Sequence, residues 1–192
     1  MSEASHGHVD HSNPAHRKVA LLIAILALIL AFAETLAKGA QTSALSSNIE
    51  SANLWSFFQA KTIRMTAVRT AAEAAEVELL QAASDTAKAA LQKQITDWKQ
   101  TAARYDSEPE TQEGRKELSA RAKAAEARRD RTLAAYHHYE IASAALQIAI
   151  VLASASIITE VTLLVWLGGG LGICGAAFCV IGLVWPTAVH LL

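Results

Sequence analysis

Cysteine, proline and aromatic residues are all scarce in this chain of 192 residues. Its two cysteines, Cys174 and Cys179, fall in an apolar run near the C-terminus, and the polar part of the chain has none. A disulfide framework is thereby excluded, and both thiols are expected to act as small apolar residues. Prolines stand only at 14, 109 and 186, so between Gly39 and Gly114 a single one, Pro109, interrupts a stretch of strong helix formers. Aromatics make up 6% of a chain that is 52% hydrophobic, so its apolarity comes mainly from Ala, Leu, Ile and Val. Membrane spans and Ala-rich helices have that balance. No Ser, Cys or Asp stands in a nucleophile motif, there is neither a phosphate loop nor a zinc-protease helix, and no strand-and-helix alternation surrounds the glycines as in a dinucleotide fingerprint. The expectation is a protein with no catalytic residues, no cofactor and no enzyme activity.

Long apolar runs are what the chain does have. Residues 19–37 carry one charge, Glu34, and a second apolar region extends from Ile141 nearly to the C-terminus. A bilayer core about 30 Å thick takes about 20 apolar residues in a helix. Residues 1–18 are polar and His-rich, and the run behind them lasts a full bilayer thickness, so 19–37 reads as a retained first span rather than a cleaved signal peptide. The second region admits a turn at Gly168-Gly169-Gly170 or one at Thr159-Glu160. The first choice buries Glu160 in hydrocarbon, at a cost of roughly 2.5 kcal/mol or more. The second keeps Glu160 at the interface and gives spans 141–158 and 161–185, the latter ending at Trp185-Pro186, an aromatic anchor followed by a helix breaker. In the third span Gly168, Gly172 and Ala176 recur at four-residue spacing, beside a stripe of Gly175, Cys179 and Gly182. Such small-residue rows let helix backbones approach closely and predict tight packing, with the first row as the expected contact of a homo-oligomer.

Residues 38–140 are charged and Ala-rich and hold all of the Lys and Arg except Arg17 and Lys18. Ser107-Glu108-Pro109-Glu110 has the spacing of a capping box with proline in the first turn, which predicts a helix starting at Glu108 and running into the second span. Leu91, Ile95 and Trp98 mark one apolar face of the helix before it. A helical hairpin with its tip near 106–109 follows. An outgoing arm from Gln41 would be far longer than the return, so part of it must fold aside. Thr42 to Met65, with aromatics Trp55, Phe57 and Phe58 beside Lys61 and Arg64, is the candidate, lying on the membrane surface or packed against the hairpin base. The predicted fold class is an all-α integral membrane protein with three transmembrane helices and a long, coiled-coil-like helical hairpin between the first and second.

Three strings are distinctive: KGAQT at 38–42, NLWSFFQAKTIRMT at 53–66 and YHHYEIASAALQIAIVLASASI at 136–157. With them the chain resembles, from about residue 17 to residue 184, the bacterial membrane proteins grouped as domain of unknown function 4337. Ala145 stands where the pattern leads one to expect Leu. The resemblance implies a bacterial origin, a three-span layout and a helical middle, and carries over no catalytic or binding residue.

Two groups of side chains are candidates for chemistry. His6, His8, His11 and His16, with Asp10 among them, form an N-terminal cluster able to bind a transition metal, although the spacing fits no closed structural site. Glu34, near the end of the first span, and His137, His138 and Glu140, just before the second, meet at the same membrane face. They make either a cation or proton site or an interfacial belt with Tyr136 and Tyr139, Glu34 then pairing with Lys38. Between 113 and 131 basic residues interleave with acids, which argues for a solvated helix and against a nucleic-acid surface, while Arg128, Arg129 and Arg131 suit anionic lipid head groups. The expected partners are the lipid bilayer, further copies of the chain, and an unidentified membrane or cytoplasmic protein. The function classes carried forward are an oligomeric scaffold or interaction protein and, alternatively, an oligomeric ion or proton channel or a metal-handling accessory. The expected location is the bacterial inner membrane, with 38–140 on the cytoplasmic side, where most of the flanking positive charge lies.

Overall fold

A computed structural model describes residues 14–187, and these form four helices and no strand. They are α1 (Pro14–Gln81), α2 (Asp85–Asp106), α3 (Arg115–Thr159) and α4 (Thr162–Val184). The chain divides into two compact units, one made of the residues up to Ser43 together with those from Asp130 onward, the other of Ala44–Arg129.

In the first unit, α1, α3 and α4 are each long and apolar enough to cross a membrane. Its core joins Leu26 and Ala33 of α1 to Ala142, Leu146 and Ala149 of α3, with Leu171, Phe178 and Cys179 of α4 packed against them. Large apolar side chains face outward on all three helices, among them Phe32, Val151, Trp166 and Ile173. α3 ends at Thr159 and α4 starts at Thr162, while the three glycines at 168–170 lie inside α4. Glu160 takes the left-handed φ of 58° and donates its N–H to the Ser156 carbonyl at 2.9 Å, which closes the end of α3.

The small-residue row on α4 turns inward, in a different register from the one expected. Gly168, Gly172, Gly175 and Gly182 are buried, and Ala176 is only half-buried. A Cβ at Gly168 would stand 2.9 Å from the Ala149 carbonyl oxygen, and one at Gly175 would stand 2.8 Å from Leu146 Cγ. At Gly172 it would run into the Leu26 side chain. Gly168 and Gly172 of the expected row therefore make contacts within the chain, against Ala149 and Leu26. At 168 and 175 only glycine lets the α4 backbone come this near to α3.

In the second unit, residues 44–81 of α1 are a continuous helix, so Thr42 to Met65 does not fold aside. The chain turns at 82–84, where Ser84 caps α2 by accepting the Ala87 N–H at 3.2 Å. α2 runs antiparallel to α1, with Lys99 paired to Glu76. The opening turns of α3 are antiparallel as well: Arg115 Nε donates to Thr62 Oγ1 at 2.9 Å, and farther along Arg128 pairs with Glu50 at 2.8 Å. The chain therefore does not reverse near 106–109. The return begins at Asp85, and α2 followed by the start of α3 matches the length of the outgoing stretch, which removes the need for a displaced segment.

Nor does a helix begin at Glu108. Ser107 is the C-cap of α2, and 107–114 is a loop in which Gln112 takes a φ of 59°. The carboxylate expected at Glu110 to cap Ser107 is supplied instead by Glu117, which accepts from Ser107 Oγ at 2.6 Å and from the Glu108 N–H at 3.1 Å. A Cβ at Gly114 would collide with that Glu117 carboxylate and with the Glu108 backbone nitrogen. Buried positions recur at intervals of three, four and seven, through Ala44, Ser51, Leu54, Lys61, Met65, Ala72 and Ala75 on α1 and Leu118, Ala122 and Ala125 on α3. Ile95 is buried on α2 and Leu91 and Trp98 half-buried, the face expected from their spacing.

Candidate functional site

Glu34 and Glu140 line one open groove of about 420 Å³ in the first unit, with Lys38 and Gln41 of α1 and Tyr136, Ser143 and Gln147 of α3. Helix register explains the set, because 34, 38 and 41 fall on one face of α1 and 136, 140, 143 and 147 on one face of α3. Gln147 Nε2 donates to Glu34 Oε1 at 3.4 Å, so the side-chain partner of Glu34 is Gln147 and not Lys38. Glu140 accepts from the Tyr136 hydroxyl at 2.6 Å and lies 3.6 Å from His137 Nδ1. That carboxylate holds the Tyr136 phenol above its ordinary pKa, since its hydrogen bond favours the protonated form. Ser143 is nine-tenths buried and its Oγ has no hydrogen-bond partner.

His138 leaves the expected cluster. It is fully buried, its ring stacks 6.1 Å from Phe178, and Nε2 donates to the Pro186 carbonyl at 3.1 Å. Three of the four interfacial residues thus come together, two carboxylates in one groove and His137 beside one of them, while His138 ties α3 to the end of α4. His6, His8 and His11 lie outside the described residues, and His16 is on α1. Among the described residues no three His, Cys, Asp or Glu side chains converge as a metal site would require.

A second polar cluster belongs to the other unit. Lys61 is buried, with Nζ 5.5 Å from the centre of the Phe57 ring and 5.4 Å from that of Tyr105, and with Glu108 and Glu113 at 3.6 and 3.8 Å. Arg115 sits 5.0 Å over Phe58 and reaches Asp106 at 3.2 Å. Lys116 also bonds Asp106 and, with Arg115, holds that carboxyl below its ordinary range. Glu117 is likewise lowered, chiefly by the Ser107 hydroxyl and the Glu108 N–H. Trp55 Nε1 donates to Glu126 Oε1 at 2.7 Å.

Residues 15–185 match the family described as Domain of unknown function (DUF4337). The chain belongs to this family. No curated protein and no solved structure shows significant similarity to it. In this DUF4337 chain the string at 53–66 supplies the polar cluster just described: Lys61 meets the 107–114 loop, Phe58 and Thr62 hold Arg115 at the start of α3, and Trp55 bonds Glu126 farther along it. The string at 136–157 supplies Tyr136, Glu140, Ser143 and Gln147 to the groove and Ala142, Leu146 and Ala149 to the core. Sequence reasoning passed over Ser143, Gln147, Glu117 and Glu126. Gln147 carried a usable signal as the one amide within the apolar run of α3, whereas Glu117 and Glu126 were two acids among many in a charged helix.

Proposed function

We propose that this protein is a membrane-anchored scaffold, in which three apolar helices hold the chain in a bilayer and the helical unit 44–129 binds a second copy of itself. The carrying observation is an unpartnered apolar stripe on α1. Leu45, Ile49, Ile63, Val77 and Leu80 are all more than half exposed in an otherwise charged unit, and the spacing of 49, 63 and 77 is two heptads each time. A surface stripe of that kind marks an interaction site, and the spacing of the buried positions by three, four and seven supports coiled-coil packing of the unit. Copies inserted in one membrane share an orientation, so their α1 helices meet in parallel and each stripe residue meets its own counterpart across a two-fold axis. The unit is read as cytoplasmic and the membrane as a bacterial inner membrane, and no enzymatic step belongs to this reading. The test is the mass of the purified protein in nanodiscs by light scattering. An oligomer that Ile63→Glu with Val77→Glu reduces to monomer supports the proposal, and a monomeric parent chain refutes it.

An ion or proton path is the second reading. Its support is the polar pair Glu34–Gln147, exposed on two apolar helices, since ionisable groups in such positions are costly unless they serve a pathway. Proton flux into vesicles that Glu34→Gln abolishes would favour it over the scaffold.

A further inference from the structure

We infer that the groove between α1 and α3 binds the primary ammonium head of a zwitterionic phospholipid, phosphatidylethanolamine by chemistry. The inference rests on the membrane anchoring proposed above. Its ground is an excess of acceptors over donors at one place. Glu34 receives a single long bond from Gln147, Glu140 is bonded on Oε1 by Tyr136 with His137 Nδ1 no nearer than 3.6 Å to Oε2, and the buried Ser143 hydroxyl has no partner at all. A buried hydroxyl without a partner is costly, and its natural remedy is a ligand bearing N–H or O–H groups.

Charge narrows the ligand further. Two carboxylates face one ammonium, Lys38, in the groove wall, so the complement is a cation with an anionic group attached. Ethanolamine phosphate has that layout, its ammonium lying toward Glu34, Glu140 and Ser143 and its phosphate toward Lys38. Position favours a lipid over a solute. The groove stands where the apolar runs of α1 and α3 give way to charged sequence, and the exposed Val151, one turn beyond Gln147 on α3, continues from it toward the apolar stretch where an acyl chain would lie. A divalent cation is the poorer fit, because the described residues provide no three-ligand set. A quaternary head group is poorer too, having no N–H to offer Ser143 or Gln147.

The test is native mass spectrometry of the full chain in mild detergent, titrated with phosphatidylethanolamine, phosphatidylcholine and phosphatidylglycerol of equal acyl chains. Phosphatidylethanolamine should be retained about tenfold better than phosphatidylcholine, the worth of one hydrogen bond to a charged group. Glu34→Gln and Ser143→Ala should each erase that preference while leaving phosphatidylglycerol binding unchanged, and neither should lower the melting temperature. Equal retention of the two zwitterionic lipids, or a preference for phosphatidylglycerol, overturns the inference. Displacement of the lipid by free ethanolamine overturns the lipid assignment in favour of a soluble amine. A chain that fails to partition into membranes refutes the anchoring itself and this site with it, whereas anchoring without head-group selection refutes the site alone.

Discussion

At the residue scale the glycines of α4 are of two kinds, although the sequence presents them alike. Gly168 and Gly175 face backbone and branched carbon of α3 at distances no Cβ tolerates, while Gly169 and Gly170 have nothing within 4 Å. Gly168→Ala and Gly175→Ala are expected to destabilise the first unit by about 1–3 kcal/mol, the usual cost of overpacking. Gly169→Ala and Gly170→Ala should instead stabilise by about 0.5–1 kcal/mol, because a helical glycine with open space beside it gives up more chain entropy than alanine does. Gly172→Ala falls between, since its neighbour is the end of a flexible leucine side chain. Thermal unfolding in detergent ranks the five variants, and equal melting temperatures for Gly169→Ala and Gly175→Ala would contradict the packing described. The stripe of small residues was legible in the sequence. Which of its members touch the rest of the chain was not, because that depends on how α4 is rotated against two distant helices.

At the scale of elements, the 107–114 loop is held by charge, and its stability should follow pH. Asp106 and Glu117 are depressed in the folded chain, so the stability they confer is present above the ordinary carboxylate range and disappears as the pH falls through their lowered folded values. The second unit should therefore melt at progressively lower temperature on acidification below that range, and Glu117→Gln should flatten the dependence; a variant as acid-sensitive as the parent would count against this role. Trp55→Phe removes the indole donor to Glu126 and should cost about 1–3 kcal/mol, read by urea unfolding. Pro109 announces a break in the sequence, and a break is there. The reversal at 82–84 carries neither glycine nor proline and depends on one serine cap among alanines, so local signals drew attention to the break at Pro109 and away from the reversal.

At the scale of the whole molecule, sidedness can be tested directly. Lys38, Arg121, Lys123, Arg128, Arg129 and Arg131 near the apolar helices outweigh Arg17 and Lys18, so the proposed orientation puts 44–129 in the cytoplasm. Thr111 is exposed and is a better reporter than Ser107, whose hydroxyl is engaged with Glu117. With Cys174 and Cys179 changed to Ala, Thr111→Cys should resist a membrane-impermeant maleimide in intact cells and react only after permeabilisation. Sequence alone determined that three helices are apolar enough to span a bilayer and that α3 and α4 part at Glu160, because the cost of burying a charge is a property of each segment by itself. Tertiary structure alone decided that α2 and α3 return in succession along α1, that Glu117 rather than Glu110 secures Ser107, and that Glu34 meets Gln147. Those outcomes depend on partners nine to more than a hundred residues apart, and no local pattern in a chain rich in alanine and mixed charge distinguishes the right partner from its many equivalents.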